Sequence, residues 1–372
     1  MKKAFIIILV AAVALVSCTK REIEGSKAIS FQTASYATRA GIEGTVFPTT
    51  ESFGIYAWAE GTIGEWFMNN EQIVYGEDGK WASANTYFWP KTTTVDFFGY
   101  YPYGMSGLAV APQTITYSNI DVEAMQADVM YSDKAAGYGD NPDGRGMGID
   151  GTSGVPIIFH HALAKVEIAA RTDFDTRSEE DGTEHEWQVT VNKVTVSDFY
   201  KAGGATFTLR NEPTEGQVGW EKPADEAGNA VWTNDGAKTS ISANPAALLN
   251  HEEPVTILPD FFVLPQAVTE PERDEEGRII PGQNIHKVTV NVTIKTRRNG
   301  ADFISETYDR SAYLWLETVP AWSINHITRY LLIIRPIGGG GGTPGSEPVP
   351  ITFDPAVAAW DVLTVPTYIT IE

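Results

Sequence analysis

The residue with the most distinctive chemical setting in this sequence is Cys18, the only cysteine among 372 residues. It follows Ser17 and an unbroken apolar run, residues 4–16, which stands behind two lysines. An apolar run of this length behind a basic head is typical of an export signal and is too short for an ordinary membrane-spanning helix. A thiol directly after such a signal, with Leu15 three residues before it, resembles the lipobox, in which the thiol receives a diacylglyceryl group. We therefore expect residues 1–17 to be removed and Cys18 to carry the lipid; a free thiol in a cleaved signal is the alternative.

A short strand pattern and a single basic residue lie a few residues further along the chain. Residues 35–41 are mostly small and polar and contain one basic side chain, Arg39. Just before them, Ile29 and Phe31 alternate with polar residues, and this period of two predicts a short strand. The N-terminal region therefore joins a short amphipathic strand to a mostly small and polar stretch with one basic side chain.

Motifs for catalysis are missing from the sequence. It contains no phosphate-binding glycine loop, no H-E-x-x-H zinc motif and no G-x-S-x-G nucleophile elbow. Because no cysteine follows Cys18, disulfides, a thiol nucleophile and a cysteine metal site are excluded beyond it. We predict a protein that is not an enzyme and needs no metal or cofactor.

Two clusters of polar residues invite a metal interpretation but do not support it. His160 and His161 are adjacent on a predicted strand, where neighbours point to opposite faces, so regular β geometry could not bring both to one metal. We expect one to be hydrogen-bonded in the core and the other solvated. Residues 140–144 are rich in Asp, Asn and Gly but lack the EF-hand spacing, so a plain turn is preferred over a calcium site. Acidic pairs for glycoside chemistry and an aromatic sugar platform stay open, because spacing selects neither.

The charge and composition limit the possible partners. The formal net charge is −21, from 48 acidic and 27 basic residues. Such a charge repels nucleic acid and anionic headgroups, and no basic stripe offsets it, so we exclude nucleic acid as a partner. With 42% hydrophobic and 11% aromatic residues, the chain can fill one core and more readily two.

The elements that must position these residues are strands. Short β runs separated by Gly, Pro and Asn recur from residue 52 onward, and helical periodicity is almost absent. The charged stretch 171–186 has no sustained apolar period and is interpreted as a solvated loop or linker near a domain boundary. Short strands with turn signals between them indicate an all-β fold, and at this length we expect two β-sandwiches.

The C-terminal end combines a flexible linker with a second amphipathic strand. Residues 338–348 begin with five glycines and continue with Gly, Pro and Ser, a composition typical of a flexible linker. Beyond it, 363–371 alternates, and one face carries Leu363, Val365, Ile369 and Ile371. An unpaired strand with an apolar face would aggregate, so it must pair with its own sheet or with a groove in another molecule.

Several segments, taken in order, resemble the fimbrillin family, the pilin-like lipoproteins of Bacteroides-type bacteria. They cover nearly the whole chain: the lipobox at Cys18, Ala37-Thr38-Arg39-Ala40-Gly41, Phe88-Trp89-Pro90, the aromatic stretch 95–103, Phe159 to Val166, Leu264-Pro265-Gln266, Arg329 to Ile334 and Trp360. The resemblance implies two tandem transthyretin-like β-sandwich domains, with a flexible glycine linker before a C-terminal strand. The resulting divisions are a signal peptide (1–17), a lipidated propeptide with the first strand (18–39), an N-terminal domain (40–172) and a C-terminal domain (173–372).

The resemblance also implies a non-enzymatic role as a pilus subunit of an adhesion appendage. The precursor would be anchored to outer-membrane lipid through Cys18, and an arginine-specific protease would cut between Arg39 and Ala40. Loss of the first strand, with Ile29 and Phe31, would open a groove for a terminal strand of another subunit. Residues 1–39 carry six basic and two acidic residues, so the cut would leave a body of charge −25. The alternative is a permanently anchored surface lipoprotein that binds a glycan or host protein, and a secreted hydrolase is the third.

Overall fold

The computed structural model describes residues 29, 31–35, 47–59, 65–139, 154–180, 182–211, 230–281, 283, 285–316, 321–334, 352–357 and 363–364. The described chain is nearly all β, which confirms the predicted fold class. Its one described helix is a single turn, α1 (Val122–Met125), which the Asp121 carboxylate caps by accepting two backbone N–H groups. Among these residues no helix combines the length and apolarity needed to span a membrane.

The strands are short and follow one another closely along the chain. The first ten are β1 (Phe31–Ser35), β2 (Ser52–Ala59), β3 (Glu65–Tyr75), β4 (Trp81–Ser83), β5 (Val95–Tyr101), β6 (Leu108–Ala111), β7 (Thr114–Asp121), β8 (Met130–Ser132), β9 (Ala135–Tyr138) and β10 (Val155–His161). The next eight are β11 (Ala164–Thr172), β12 (Arg177–Glu180), β13 (Thr183–Tyr200), β14 (Ala202–Thr208), β15 (Ala230–Asn234), β16 (Lys238–Ala243), β17 (Ala247–Leu249) and β18 (Val255–Val263). The last seven are β19 (Gln266–Ala267), β20 (His286–Arg298), β21 (Ile304–Leu314), β22 (Ala321–Trp322), β23 (Ile327–Ile334), β24 (Thr352–Val357) and β25 (Leu363–Thr364).

The N-terminal strands form a sheet whose pairings close on themselves. Its order is β2-β3-β4-β1-β10-β8-β5-β9, and β2 pairs in addition with β5. The hydrogen-bonded neighbours from β2 round to β5 therefore form a ring, and β1 is one of its members. Closing a sheet in this way removes free edges, which otherwise offer unpaired backbone groups to other chains.

Two further sheets pack face to face in the C-terminal part. One has the order β18-β11-β23-β24-β25, and the other has β12-β13-β20-β21, with β16 and β17 also paired to β13. Period-two alternation places Val288, Val290 and Val292 of β20 in the same apolar core as Val166 and Ile168 of β11. This packing of two apolar faces is the β-sandwich arrangement that the alternation predicted.

The described chain contains two apolar clusters. One lies inside the ring of N-terminal strands, and the other extends over the two packed sheets and the sheet β15-β14-β7-β6. β11 pairs with β18 and β23, and β7 pairs with β14, so backbone pairing crosses residue 172. The predicted division into tandem domains at 172/173 stays a prediction.

The prediction for residues 171–186 was wrong in part. β11 continues to Thr172, and β12 and the start of β13 form a hairpin within this stretch. The hairpin is stabilised by Glu186, whose carboxylate accepts from Arg177 and Arg297. Charged side chains in an exposed hairpin leave no apolar period, which is why the sequence pattern indicated a loop.

Candidate functional site

The first strand lies inside a sheet rather than at its edge. β1 is inserted between β4 and β10. It runs parallel to β10 in the register Phe31↔Val155 to Ser35↔Phe159, and it pairs with β4 at Phe31↔Trp81. The segment from Phe31 to Ser35 therefore joins two strands that come from much later in the chain.

The two apolar residues singled out in the sequence face the core. Ile29 is 7% exposed and Phe31 is 3% exposed. The Phe31 ring meets Phe97 edge to face, with ring centroids 5.7 Å apart. The Ile29 N–H donates to the Tyr87 carbonyl at 2.9 Å, so backbone pairing on this side extends two residues before β1 begins. Both side chains are integral parts of the N-terminal core, and whether they are displaced stays a prediction.

A cluster of aromatic rings surrounds the position of β1. Phe47 is 1% exposed and contacts four rings, with centroid distances of 5.2–5.5 Å: Phe53, Trp81, Tyr101 and Phe159. Trp89 adds an edge-to-face contact with Phe97. Phe47 follows Arg39 in the sequence, whereas β1 precedes it. A cut at Arg39 would therefore leave this cluster with the body of the protein. Losing β1 would therefore expose aromatic surface.

The backbone of β10 is arranged to pair with β1. The Ile158 carbonyl accepts from Asp133, and the Ala162 N–H donates to Val129, so the even-numbered residues of this stretch face β8. Since backbone groups alternate in direction along a strand, Val155, Ile157 and Phe159 turn their N–H and C=O groups toward β1. Pro156 lacks an N–H, but as an even-numbered residue it would point this group toward β8. Its absence therefore removes no hydrogen bond to β1. The edge of β10 that faces β1 therefore keeps its hydrogen-bonding groups. We call the space that β1 fills between β4 and β10 the groove.

Buried histidine–carboxylate contacts lie at the other end of β10. His160 lies 2.9 Å from Asp133 and His161 lies 2.7 Å from Asp128, measured between the ring nitrogen and the nearest carboxylate oxygen. The exposed fraction of either histidine is at most 5%. The expectation that one of them would be solvated was wrong, because β10 is covered on both faces. Each carboxylate pairs with one ring, and among the described residues no group of three or more metal-ligating side chains occurs.

Two partly buried tyrosines that pack against the N-terminal core have raised pKa values. The Tyr87 hydroxyl donates to Glu71 at 2.7 Å. Burial, with this hydrogen bond to Glu71, raises the pKa of Tyr87 to about 12. Burial likewise raises the pKa of Tyr101 to about 12. Both phenols therefore stay protonated near neutral pH.

The C-terminal segment pairs with its own sheet. β24 runs antiparallel to β23, and β25 pairs with β24 at Ala356↔Thr364 and Val357↔Leu363. Leu363 thus starts a two-residue strand at the sheet's edge. Val365, Ile369 and Ile371 lie outside the described residues, as do the predicted linker 338–348 and the rest of the predicted strand 363–371.

The remaining sequence predictions fall on residues that the structure does not describe. Cys18, Arg39 and Ala40 are among them, and so is the acidic turn 140–144. Sequence reasoning missed Phe47 as the centre of the aromatic cluster and missed β24. Phe47 lies between Val46 and Pro48 in a stretch without alternation, so it gives no periodic signal.

Comparison with known proteins identifies the family. A family model described as fimbrillin-like matches residues 38–311, well over half of the chain. The chain belongs to the fimbrillin-like family. A search of curated proteins found no match.

One solved structure supports the same fold. A fimbrial protein from Bacteroides vulgatus is 15% identical, with a TM-score of 0.53, and the match covers 90% of this chain and 99% of that one. A protein from Bacteroides ovatus, provisionally described as a cell adhesion protein, is 14% identical over 90% of this chain and 98% of that one, with a TM-score of 0.43. At these identities the likeness concerns the fold, and only the first TM-score is high enough to support it.

Proposed function

We propose that this chain is the precursor of a pilus subunit that polymerises by exchanging its first strand for a strand of another subunit. The observation that carries the proposal is the position of β1, inserted between β4 and β10 and separated from the rest of its sheet by the segment that contains Arg39. Family membership and the fimbrial relative support it.

The precursor begins as an exported lipoprotein. Acyl chains on Cys18 hold it at the outer membrane, and the polar residues after Cys18 serve as a tether. An arginine-specific protease then cuts between Arg39 and Ala40 and separates the lipid and β1 from the body. The mature subunit acts at the cell surface in an adhesion appendage and has no enzymatic role.

Covalent cutting alone does not empty the groove. Ile29 and Phe31 together contribute about 3–6 kcal/mol of burial at about 1.5–3 kcal/mol per side chain. The released peptide, residues 18–39, has four basic and two acidic residues, and its net charge of +2 against a body of −25 holds it near the groove. The peptide therefore leaves quickly only if another strand replaces it.

The C-terminal strand is the stronger competitor. Its four apolar residues, Leu363, Val365, Ile369 and Ile371, would contribute about 6–12 kcal/mol on full burial. β1 pairs with five residues of β10, which itself has seven, so a longer strand gains further backbone bonds. The exchange is favourable when this surplus exceeds the entropy lost on association.

Treating purified precursor with an arginine-specific protease tests the proposal. We expect a cut at Arg39 followed by a ladder of oligomers on non-denaturing gels. A variant that lacks residues 363–372 should be cut equally well and stay monomeric. The Arg39→Gln variant is the matched control and should be neither cut nor assembled. Cutting without a ladder, or a ladder from the truncated variant, would contradict strand exchange.

A further inference from the structure

A pocket lies on the outer face of the sheet β12-β13-β20-β21, away from the strands that hold β1. It is a half-open depression of about 320 Å³, lined by Asp198, Lys238, Gln283, Ile285, Lys287 and Tyr313. A volume near 300 Å³ is at the lower end of the range for small-molecule sites, which suits a ligand of one ring.

The sheet register places the polar groups side by side. Lys287 pairs with Ser197 on β13 and with Tyr313 on β21. The strand neighbours of Lys287 and Tyr313 are buried, so these two side chains point outward together. Asp198 lies at a β-bulge of β13 with φ of 70°, a left-handed conformation that is uncommon for residues other than glycine. The bulge turns Asp198 out of the regular alternation at the edge of the pocket.

Lys238 supplies a second cationic group that is held in place. Its Nζ lies 3.3 Å from the centroid of the Tyr200 ring. Burial lowers the pKa of Lys238, and the negative charge of Asp198 acts in the opposite direction. A lysine whose ammonium group packs on an aromatic ring is partly preorganised for a negatively charged partner.

Gln283 has a positioning role at the pocket. Its side-chain N–H groups donate to the Glu272 and Ile280 carbonyls, both at 2.8 Å, and its oxygen accepts from the Glu272 N–H at 2.7 Å. These bonds use both of its donor hydrogens. Gln283 therefore fixes the loop that borders the pocket. Asp198 accepts from the Ser197 hydroxyl at 2.7 Å and lines the pocket together with Lys238, Lys287 and Tyr313.

We propose that this pocket binds one carboxylate-bearing sugar ring, a hexuronic acid or a similar acidic monosaccharide. Two ammonium groups near one carboxylate make a cationic spot on a chain of net charge −21. Asp198 and Tyr313 accept and donate hydrogen bonds to sugar hydroxyls, and the Tyr313 ring and Ile285 offer apolar surface to the ring carbons. The next row of the same face carries hydroxyl pairs, Thr289 with Ser311 and Thr195 with Ser242, beside which a linked sugar would lie.

Ligand-detected NMR titrations of the uncut full-length chain test this site with three probes. Glucuronate has the ring and the charge, glucose has the ring alone and acetate has the charge alone. We expect glucuronate to bind at least about tenfold more tightly than either of the others. Lys287→Gln and Lys238→Gln should each weaken glucuronate binding by about tenfold, the factor of a lost charge-assisted hydrogen bond.

Lys295→Gln is the matched control, because Lys295 lies on the same outward face of β20 at the opposite end from Lys287. It should leave glucuronate binding unchanged, and circular dichroism should show that all three variants are folded. Equal binding of acetate and glucuronate would overturn the sugar assignment. Absence of glucuronate binding, or equal weakening by Lys295→Gln, would overturn the site. The uncut chain retains β1, so either failure leaves the strand-exchange proposal untouched.

Discussion

Removing the Phe31 side chain should destabilise the uncut precursor and loosen β1. Phe31 is 3% exposed, is surrounded by the N-terminal aromatic core and meets Phe97 edge to face. Truncating a fully buried phenylalanine to alanine typically costs about 3–5 kcal/mol, including the cavity that remains. That cost is a large share of a typical folding free energy of about 5–15 kcal/mol. We expect Phe31→Ala to lower the melting temperature of the N-terminal transition by about 6–20 °C, measured by calorimetry or by urea unfolding.

Phe88→Ala is the matched control, since Phe88 is 37% exposed and precedes the buried Trp89. Because much of its ring is already in water, its effect should be smaller than that of Phe31→Ala. After protease treatment and removal of the propeptide, the Phe31→Ala and wild-type bodies are chemically identical and should unfold alike. If Phe31→Ala unfolds like Phe88→Ala before the cut, then β1 does not hold the N-terminal core together and the reasoning fails.

Two other predictions concern the C-terminal sandwich. Burial lowers the pKa of His286 below 6.5, so as the pH drops the unfolded chain takes up this proton before the folded chain does. The free energy of unfolding should therefore fall between pH 7 and pH 5. Urea unfolding should show a smaller fall in His286→Gln and an unchanged fall in His251→Gln. Tyr330→Phe removes the acceptor of the Trp322 indole N–H, 2.9 Å away and fully buried, and should cost about 1–3 kcal/mol. The 41%-exposed Tyr75 provides the control Tyr75→Phe, which should leave the free energy of unfolding nearly unchanged, and equal effects of the two would refute a role for the buried bond.

The all-β class and the burial of Ile29 and Phe31 could be predicted because alternation reports which face of a strand is covered. Along Val288 to Ile294, the face predicted to be apolar from the alternation is the face that packs in the core. What alternation does not report is the neighbour of each strand. Nothing local to residues 31–35 indicates that they pair with 155–159, because that pairing depends on a ring closed by distant segments.

The histidine pair shows a second limit of sequence reasoning. Opposite orientation on β10 was predictable from the period of a strand, and the structure gives the two rings different partners. Their burial was not predictable, because the carboxylates that compensate it come from Asp128 and Asp133 on a separate segment. A polar residue in an apolar strand is read as solvated until its partner is known.

Strand exchange can be tested through the C-terminal segment, because this segment has different neighbours before and after assembly. In the single chain β25 pairs with β24 at the edge of a C-terminal sheet. In the assembled pilus, the proposal moves the strand that begins at Leu363 into the groove of another subunit. The two places lie on different sheets, so one label can distinguish them.

The most direct measurement is photo-crosslinking from a benzoylphenylalanine placed at Ile369, with mass spectrometry before and after the cut at Arg39. Strand exchange predicts that the cut assemblies contain intermolecular crosslinks to β4 or β10, the two strands that flank β1, and that the uncut precursor contains none. Crosslinks confined to the same chain in both states, or assemblies without crosslinks to β4 or β10, would contradict it.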